Sequence, residues 1–354
     1  MTTLSTLSAP ALVRRGLHDG WTVRAVGGPV AGGVDGRSYP ATVPGSVHTD
    51  LLAAGAIPDP YLDDNEALLK WIGLCDWEYR TTFAWSPDDG ADRHELVFDG
   101  LDTVATVVLN GTEVARTANM HRTYRFEVGA LLREGSNDLV VRFASPVRYA
   151  DAQSLALGYR PQVNKHPFNA IRKMACSFGW DWGIDTASSG IWRPVRLESW
   201  RTARLASVRP VASVSTASDG ATTGHLDVHV VLDRATSEAG LVVTVTVGAP
   251  GEPTTVSATV PAGTSDVVVP VDVTDVALWW PRGYGEQPLY DVRVEVAPEG
   301  ARRSTGGRGA SASAPCGSTR CPTSWARRSR SSSTTSRCGS RARTGSPTTR
   351  SRTA

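Results

Sequence analysis

With 354 residues, 40% of them hydrophobic, the chain has room for two or more domains with sizeable cores, and no apolar run approaches a membrane span. Five Cys, none in a C-x-x-C pair, exclude a disulfide scaffold and leave Cys75 and Cys176 to be expected as buried free thiols. The net charge of +2 divides unevenly, because residues 301–354 hold 12 Arg and no Lys, Asp or Glu, leaving 25 basic against 35 acidic side chains, a formal −10, in the first 300. The amino terminus, MTTLSTLSAPALVRR, lacks an apolar core ahead of a cleavage site, so the expectation is a soluble, cytoplasmic protein with no membrane partner.

In chain order, helical stretches are few. GSVHTDLLAAG (45–55) and DDNEALLKWIG (63–73) read as short helices, with Asp64 placed to cap the second. Strand signals dominate thereafter. HELVFDGLDTVATVVLNGTEVAR (94–116) gives two apolar runs and then Asn110-Gly111, the preferred type I′ hairpin pair. The same Asn110 opens an N-x-T glycosylation pattern, but the turn reading explains it better. NDLVVRFASP (137–146) and GIWRPVRLESW (190–200) continue as alternating strands. Strands at short spacing with few helices point to an antiparallel β-sandwich.

A second unit follows Arg201. HLDVHVVLDR, LVVTVTVG, PTTVSATV, SDVVVPVDV and LYDVRVEVAP are β-branched strands separated by Gly, Pro and Asp turns, as in a cystine-free immunoglobulin-like sandwich. Residues 301–354 then contain no Leu, Ile, Val, Phe, Tyr or Met, and with so little to bury they are expected to be disordered. One reading is an Arg/Ser-rich nucleic-acid tail. The other is translation out of frame, since GC-rich codons shifted by one base yield this palette. Shifted back, Ala310 to Arg320 is compatible with the alternating V-G-F-R-T-V-R-L-D-T, and Arg341 to Thr349 with G-A-N-W-I-P-D-D.

SFGWDWGID (177–185) sets two tryptophans around one aspartate. In a strand, Trp180 and Trp182 share one face and Asp181 takes the other, as core tryptophans would. In a loop, all three converge on one ligand, the carboxylate taking hydroxyl hydrogen bonds while indole faces cover C–H surface.

KWIGLCDWEYRTTF (70–83), RKMACSFGWDWGID (172–185), GIWRPVRLESW (190–200) and LWWPRGYGEQPLYDV (278–292) together resemble the amino-terminal domains of β-mannosidases of glycoside hydrolase family 2, over about residues 12–296 and in the family's order. The resemblance implies a mainly β chain, with a jelly-roll, galactose-binding-like sandwich at 12–200 and an immunoglobulin-like sandwich at 201–297, ahead of the Arg/Ser-rich tail at 298–354 that composition reads as disordered and out of frame. It implies an exo-acting retaining β-mannosidase, acting on terminal β-mannose of oligosaccharides, without a cofactor. Trp180, Asp181 and Trp182 become the substrate-binding residues, one wall of a pocket completed by a catalytic barrel. Both family glutamates belong to that barrel, so no catalytic residue is assigned and the 354-residue chain is expected to be inactive. A stand-alone carbohydrate-binding module is the alternative, and a nucleic-acid partner is not expected.

Other residues read as structural. Glu66, Asp76, Glu78, Asp99 and Glu286 are expected as surface or capping charges, and Arg172 and Lys173 as solvated bases. Trp71, Trp77, Trp192, Trp279 and Trp280 are expected in packing. The seven His show no metal-ligand spacing, His225 and His229 standing too far apart along a strand to chelate.

Overall fold

The computed structural model describes residues 12–87, 91–158, 160–238, 240–248 and 252–300, with the backbone of 317–323. These fall into two compact units, one spanning Leu12–Trp200 and the other beginning at Arg201.

The first unit runs β1 (Val13–Gly16), β2 (Thr22–Gly27), β3 (Ser38–Pro40), α1 (Val47–Ala53), α2 (Asn65–Leu68), β4 (Asp76–Trp85), β5 (Arg93–Phe98), β6 (Val104–Leu109), β7 (Thr112–Ala118), β8 (Tyr124–Glu127), β9 (Gly135–Phe143), α3 (Pro146–Leu157), β10 (Phe178–Trp180), β11 (Gly183–Asp185) and β12 (Val195–Trp200). A six-stranded sheet, β3-β2-β4-β9-β6-β7, faces a four-stranded one, β1-β12-β5-β8. Period-two alternation aims one side of each strand inward. Trp77 and Tyr79 of β4 and Leu139, Val141 and Phe143 of β9 meet Leu96 and Phe98 of β5 and Leu197 of β12 in one core. Burying each such side chain contributes about 1.5–3 kcal/mol over leaving it exposed. Asn110 and Gly111 turn the β6–β7 hairpin at φ 52° and 85°, both positive as a type I′ turn requires.

Three local readings are corrected. Asp64 stands at the start of α2, but its side chain makes no capping bond. Glu78 is no surface charge; it is buried on β4 and gripped by Arg24 and Arg142 at 2.7 and 2.8 Å. α3 carries no strong apolar stripe and was not expected, yet Ser145 caps it by accepting from Arg148 N at 3.0 Å, and Pro146 opens its first turn.

The second unit comprises β13 (Ala203–Thr216), β14 (Thr222–Arg234), β15 (Leu241–Val247), β16 (Thr254–Val260), β17 (Asp266–Thr274), β18 (Tyr290–Pro298) and β19 (Gly317–Thr323). Sheets β13-β14-β17 and β16-β15-β18-β19 enclose a valine-rich core that includes Val228, Val230, Val243, Val245, Val269, Val271, Val292 and Val294. Pro210 on β13 and Pro270 on β17 lie on strands paired along one edge only, where a missing N–H is tolerated. β19 lies inside the Arg/Ser-rich stretch. It pairs with β18 from Tyr290↔Thr323 to Val296↔Gly317, which composition does not signal. The edge of β18 away from β15 offers backbone donors and acceptors that any extended chain can satisfy, as β19 does here. The rest of 301–354 lies outside the described residues.

Candidate functional site

The two tryptophans sit at the end of a hairpin. Phe178 pairs with Asp185 and Trp180 with Gly183, leaving Asp181 and Trp182 as a two-residue turn. The arrangement is therefore neither a strand with Asp181 turned away nor a core insertion. Trp180 is 45% and Trp182 72% exposed, whereas Trp21, Trp77 and Trp200 are buried. The two indoles stand 6.3 Å apart at 42°, with Asp181 between them in sequence and exposed. Trp182, and in part Trp180, forgo burial energy that a core position would supply. Trp180 and Asp181 also line an open cavity of about 470 Å³ with Glu66, Lys70, Asn164 and Asp185. Trp182 is not among its walls.

The hairpin is held from three directions. Asn164 Nδ2 donates to the carbonyls of Phe178 and Gly179 at 3.2 and 2.9 Å. Lys70 Nζ pairs with Asp185 Oδ2 at 2.7 Å, and Asp185 N donates to Glu66 Oε1 at 3.2 Å. Gly179 has φ +87°, and a Cβ there would press to 3.2 Å from that of Asp185. The third hold is beneath. Lys173, expected in solvent, is fully buried, its Nζ 2.5 Å from both oxygens of Asp102 and 2.9 Å from the Ser188 carbonyl. Ser188 Oγ donates to Asp102 Oδ2 at 2.8 Å, and Asp102 exchanges backbone bonds with Gly190. One carboxylate thus ties both feet of the segment 174–187. Burial pulls the Lys173 ammonium below its usual pKa, against the opposing pull of Asp102.

His48 lies in the field of this cluster. Burial, reinforced by the Lys173 charge and opposed by Asp102 and Asp185, lowers its pKa from 6.5 to about 4, and Nδ1 has no hydrogen-bond partner. The folded state therefore binds fewer protons than the unfolded state between those values, so stability falls as pH drops through that window. The full loss amounts to about 3 kcal/mol. Denaturant melts at pH 7 and pH 4 should show this loss in the wild type and a smaller one in His48→Leu; equal losses would place the acid sensitivity elsewhere.

Of the acids expected as capping charges, Asp76 supports the start of α3, taking Ser145 N at 2.7 Å and Arg148 at 2.7 Å. Trp280, expected in packing, is 36% exposed. His225 bridges Ser215 Oγ (2.8 Å) and Asp272 Oδ1 (2.7 Å) across β13, β14 and β17. That chain resembles a nucleophile relay, but it lies on an exposed sheet face, and β14 is paired on both edges, so its N–H groups serve the ladder rather than an oxyanion. Among the described residues no cluster of three metal-ligating side chains occurs, and no helix is long and apolar enough to cross a membrane.

The described residues form two β-sandwich units, the first bearing an exposed aromatic hairpin, and sequence comparison gives them a family. The profile of the glycosyl hydrolase 2 galactose-binding domain-like region matches residues 21–193, and that of glycosyl hydrolases family 2 matches 206–305. The chain belongs to glycosyl hydrolase family 2 and holds its amino-terminal β domains. It is 34% identical to beta-mannosidase B of Thermothelomyces thermophilus, covering 79% of this chain and 32% of that protein. The beta-mannosidase of Mus musculus is likewise 34% identical, with 77% and 32% covered. The crystal structure of a beta-D-mannosidase from Dictyoglomus thermophilum superposes with a TM-score of 0.71 at 30% identity, over 80% of this chain and 34% of that one. An exo-chitosanase of Amycolatopsis orientalis, at 19% identity and a TM-score of 0.58, shares the fold. The chain spans about a third of the length of these relatives.

Proposed function

We propose that this chain is the amino-terminal part of an exo-acting retaining β-mannosidase that removes terminal β-mannose from oligosaccharides, and that Trp180, Asp181 and Trp182 form one wall of its mannose pocket. The exposed indole pair around Asp181, on a hairpin clamped at its base, carries this reading. Indole faces suit the C–H surface of a pyranose, and a carboxylate with no partner among the described residues suits its hydroxyls. The hydrolysis itself needs two carboxylates about 5–5.5 Å apart. Those belong to the part of the enzyme that the relatives have beyond this region, and the 354-residue chain alone does not turn over.

The stretch after residue 300 supports a reading-frame shift. Family similarity runs to residue 305, close to where the Arg, Ser and Thr composition sets in. Resequencing the codons for 297–310 and expressing the corrected frame tests both points. The corrected protein should hydrolyse p-nitrophenyl β-D-mannoside in preference to the β-galactoside and β-glucosaminide, and the 354-residue chain should hydrolyse none of them. Preference for another sugar would overturn the substrate, and turnover by the short chain would overturn the division of labour.

A further inference from the structure

A second cavity of the first unit shares no lining residue with the one beside Trp180. It measures about 710 Å³ and lies between the end of β7, one face of α3 and the segment 160–172. That volume falls within the range of small-molecule sites.

Its charge is one-sided. His121, Arg160 and Arg172 line it, and no Asp or Glu does. Neither arginine has a carboxylate partner among the described residues, although the first 300 residues carry ten more acids than bases. Several guanidinium groups of this unit are held by carboxylates, Arg24 and Arg142 on Glu78, Arg80 on Asp138, Arg125 and Arg196 on Glu198, whereas Arg122 and Arg193 lie over the rings of Tyr124 and Trp192; Arg160 and Arg172 instead line one concavity. A single guanidinium fork can hold a carboxylate or phosphate bidentately, and two guanidiniums without carboxylate partners around one concavity offer two such forks.

The remaining walls narrow the ligand. Tyr149, Gln153 and Leu157 recur every four residues along α3 and so present one helix face to the cavity. Tyr149 and Leu157 supply apolar surface, and Gln153 supplies an amide. Asn119 uses Oδ1 to accept from His121 N, and Asn169 uses Nδ2 to donate to Pro161 O, which leaves Asn119 a donor and Asn169 an acceptor for a ligand. Three amides with both donor and acceptor capacity match vicinal hydroxyls, and the apolar flank matches a ring face. A bare inorganic anion would use only the arginines.

We propose that this groove binds an anionic sugar, its carboxylate or phosphate held by Arg160 and Arg172 and its hydroxyls by Asn119, Gln153 and Asn169. The site is separate from the W-D-W hairpin and does not rest on the mannoside reading.

Isothermal titration of the 354-residue chain at low salt tests it, with sodium D-glucuronate, glucose 6-phosphate and neutral glucose as probes. At least one anionic sugar should bind saturably with a Kd on the order of 1 mM or tighter, and glucose should not. Binding of glucuronate alone assigns the carboxylate, and binding of glucose 6-phosphate alone assigns the phosphate. Arg160→Gln and Arg172→Gln should each weaken binding about tenfold or more, and the Lys variants less, because charge is kept while the fork is lost. Each variant retains every tail arginine, so non-specific attraction to the tail is held constant. Both arginines are exposed, and the melting temperature should not move. Absence of saturable binding by both anionic sugars, equal binding of glucose, or affinity indifferent to both substitutions would each refute the site.

Discussion

In a full-length enzyme with the frame restored past residue 300, Asp181→Ala lowers kcat/KM about ten- to a hundredfold or more while the melting temperature stays unchanged. Both halves of this expectation follow from the hairpin. Asp181 makes no hydrogen bond or ion pair among the described residues, so folding loses nothing when its carboxylate goes. In the proposed pocket it takes charge-assisted bonds from sugar hydroxyls, each worth about 1.5–3 kcal/mol, and each 1.4 kcal/mol is about a factor of ten in rate. Asp181→Asn keeps the shape and should lose less than Asp181→Ala. Steady-state kinetics beside thermal melts decide it: normal kinetics with a large drop in melting temperature would remove Asp181 from the pocket.

The second large effect is on stability. Lys173→Met leaves the Asp102 carboxylate buried without its cation, and removing one partner of such a pair costs about 3–5 kcal/mol. For a unit of this size each kcal/mol corresponds to about 2–4 °C, so a fall in melting temperature of about 6–20 °C is expected. Lys173→Met with Asp102→Asn should recover part of the loss, because the stranded charge is then gone. A single variant that melts like the wild type would show that Lys173 does not hold the hairpin.

The contrast between these two positions explains what could be read in the chain. Asn110-Gly111 and the valine strands of the second unit encode their structure within a few residues, and both were legible. The W-D-W triplet was legible as chemistry but not as geometry, since its spacing fits a strand and a turn equally well. The Lys173–Asp102 pair spans 71 residues of sequence and has no local signature, which is why Lys173 read as solvated. α3 announced its start through Ser145 and Pro146, yet without an apolar stripe nothing carried that signal through the helix. The groove beneath α3 was invisible for the same reason, as its arginines are brought together by segments that are silent on their own.

Lys173 and Ser188 converge on one buried carboxylate, and that closure has a bearing on how such a region can change over time. The residues between them form a cassette whose ends and hairpin stem are fixed, Phe178, Gly179 and Asp185 included, while its tip at residues 180–182 is exposed. Turn length, aromatic content and charge at the tip can be rewritten there while the junction and the core beneath it stay as they are. Change at the tip is therefore least costly inside that cassette, and a segment cut at those two positions is the natural unit for moving one hairpin tip onto another scaffold of the same fold.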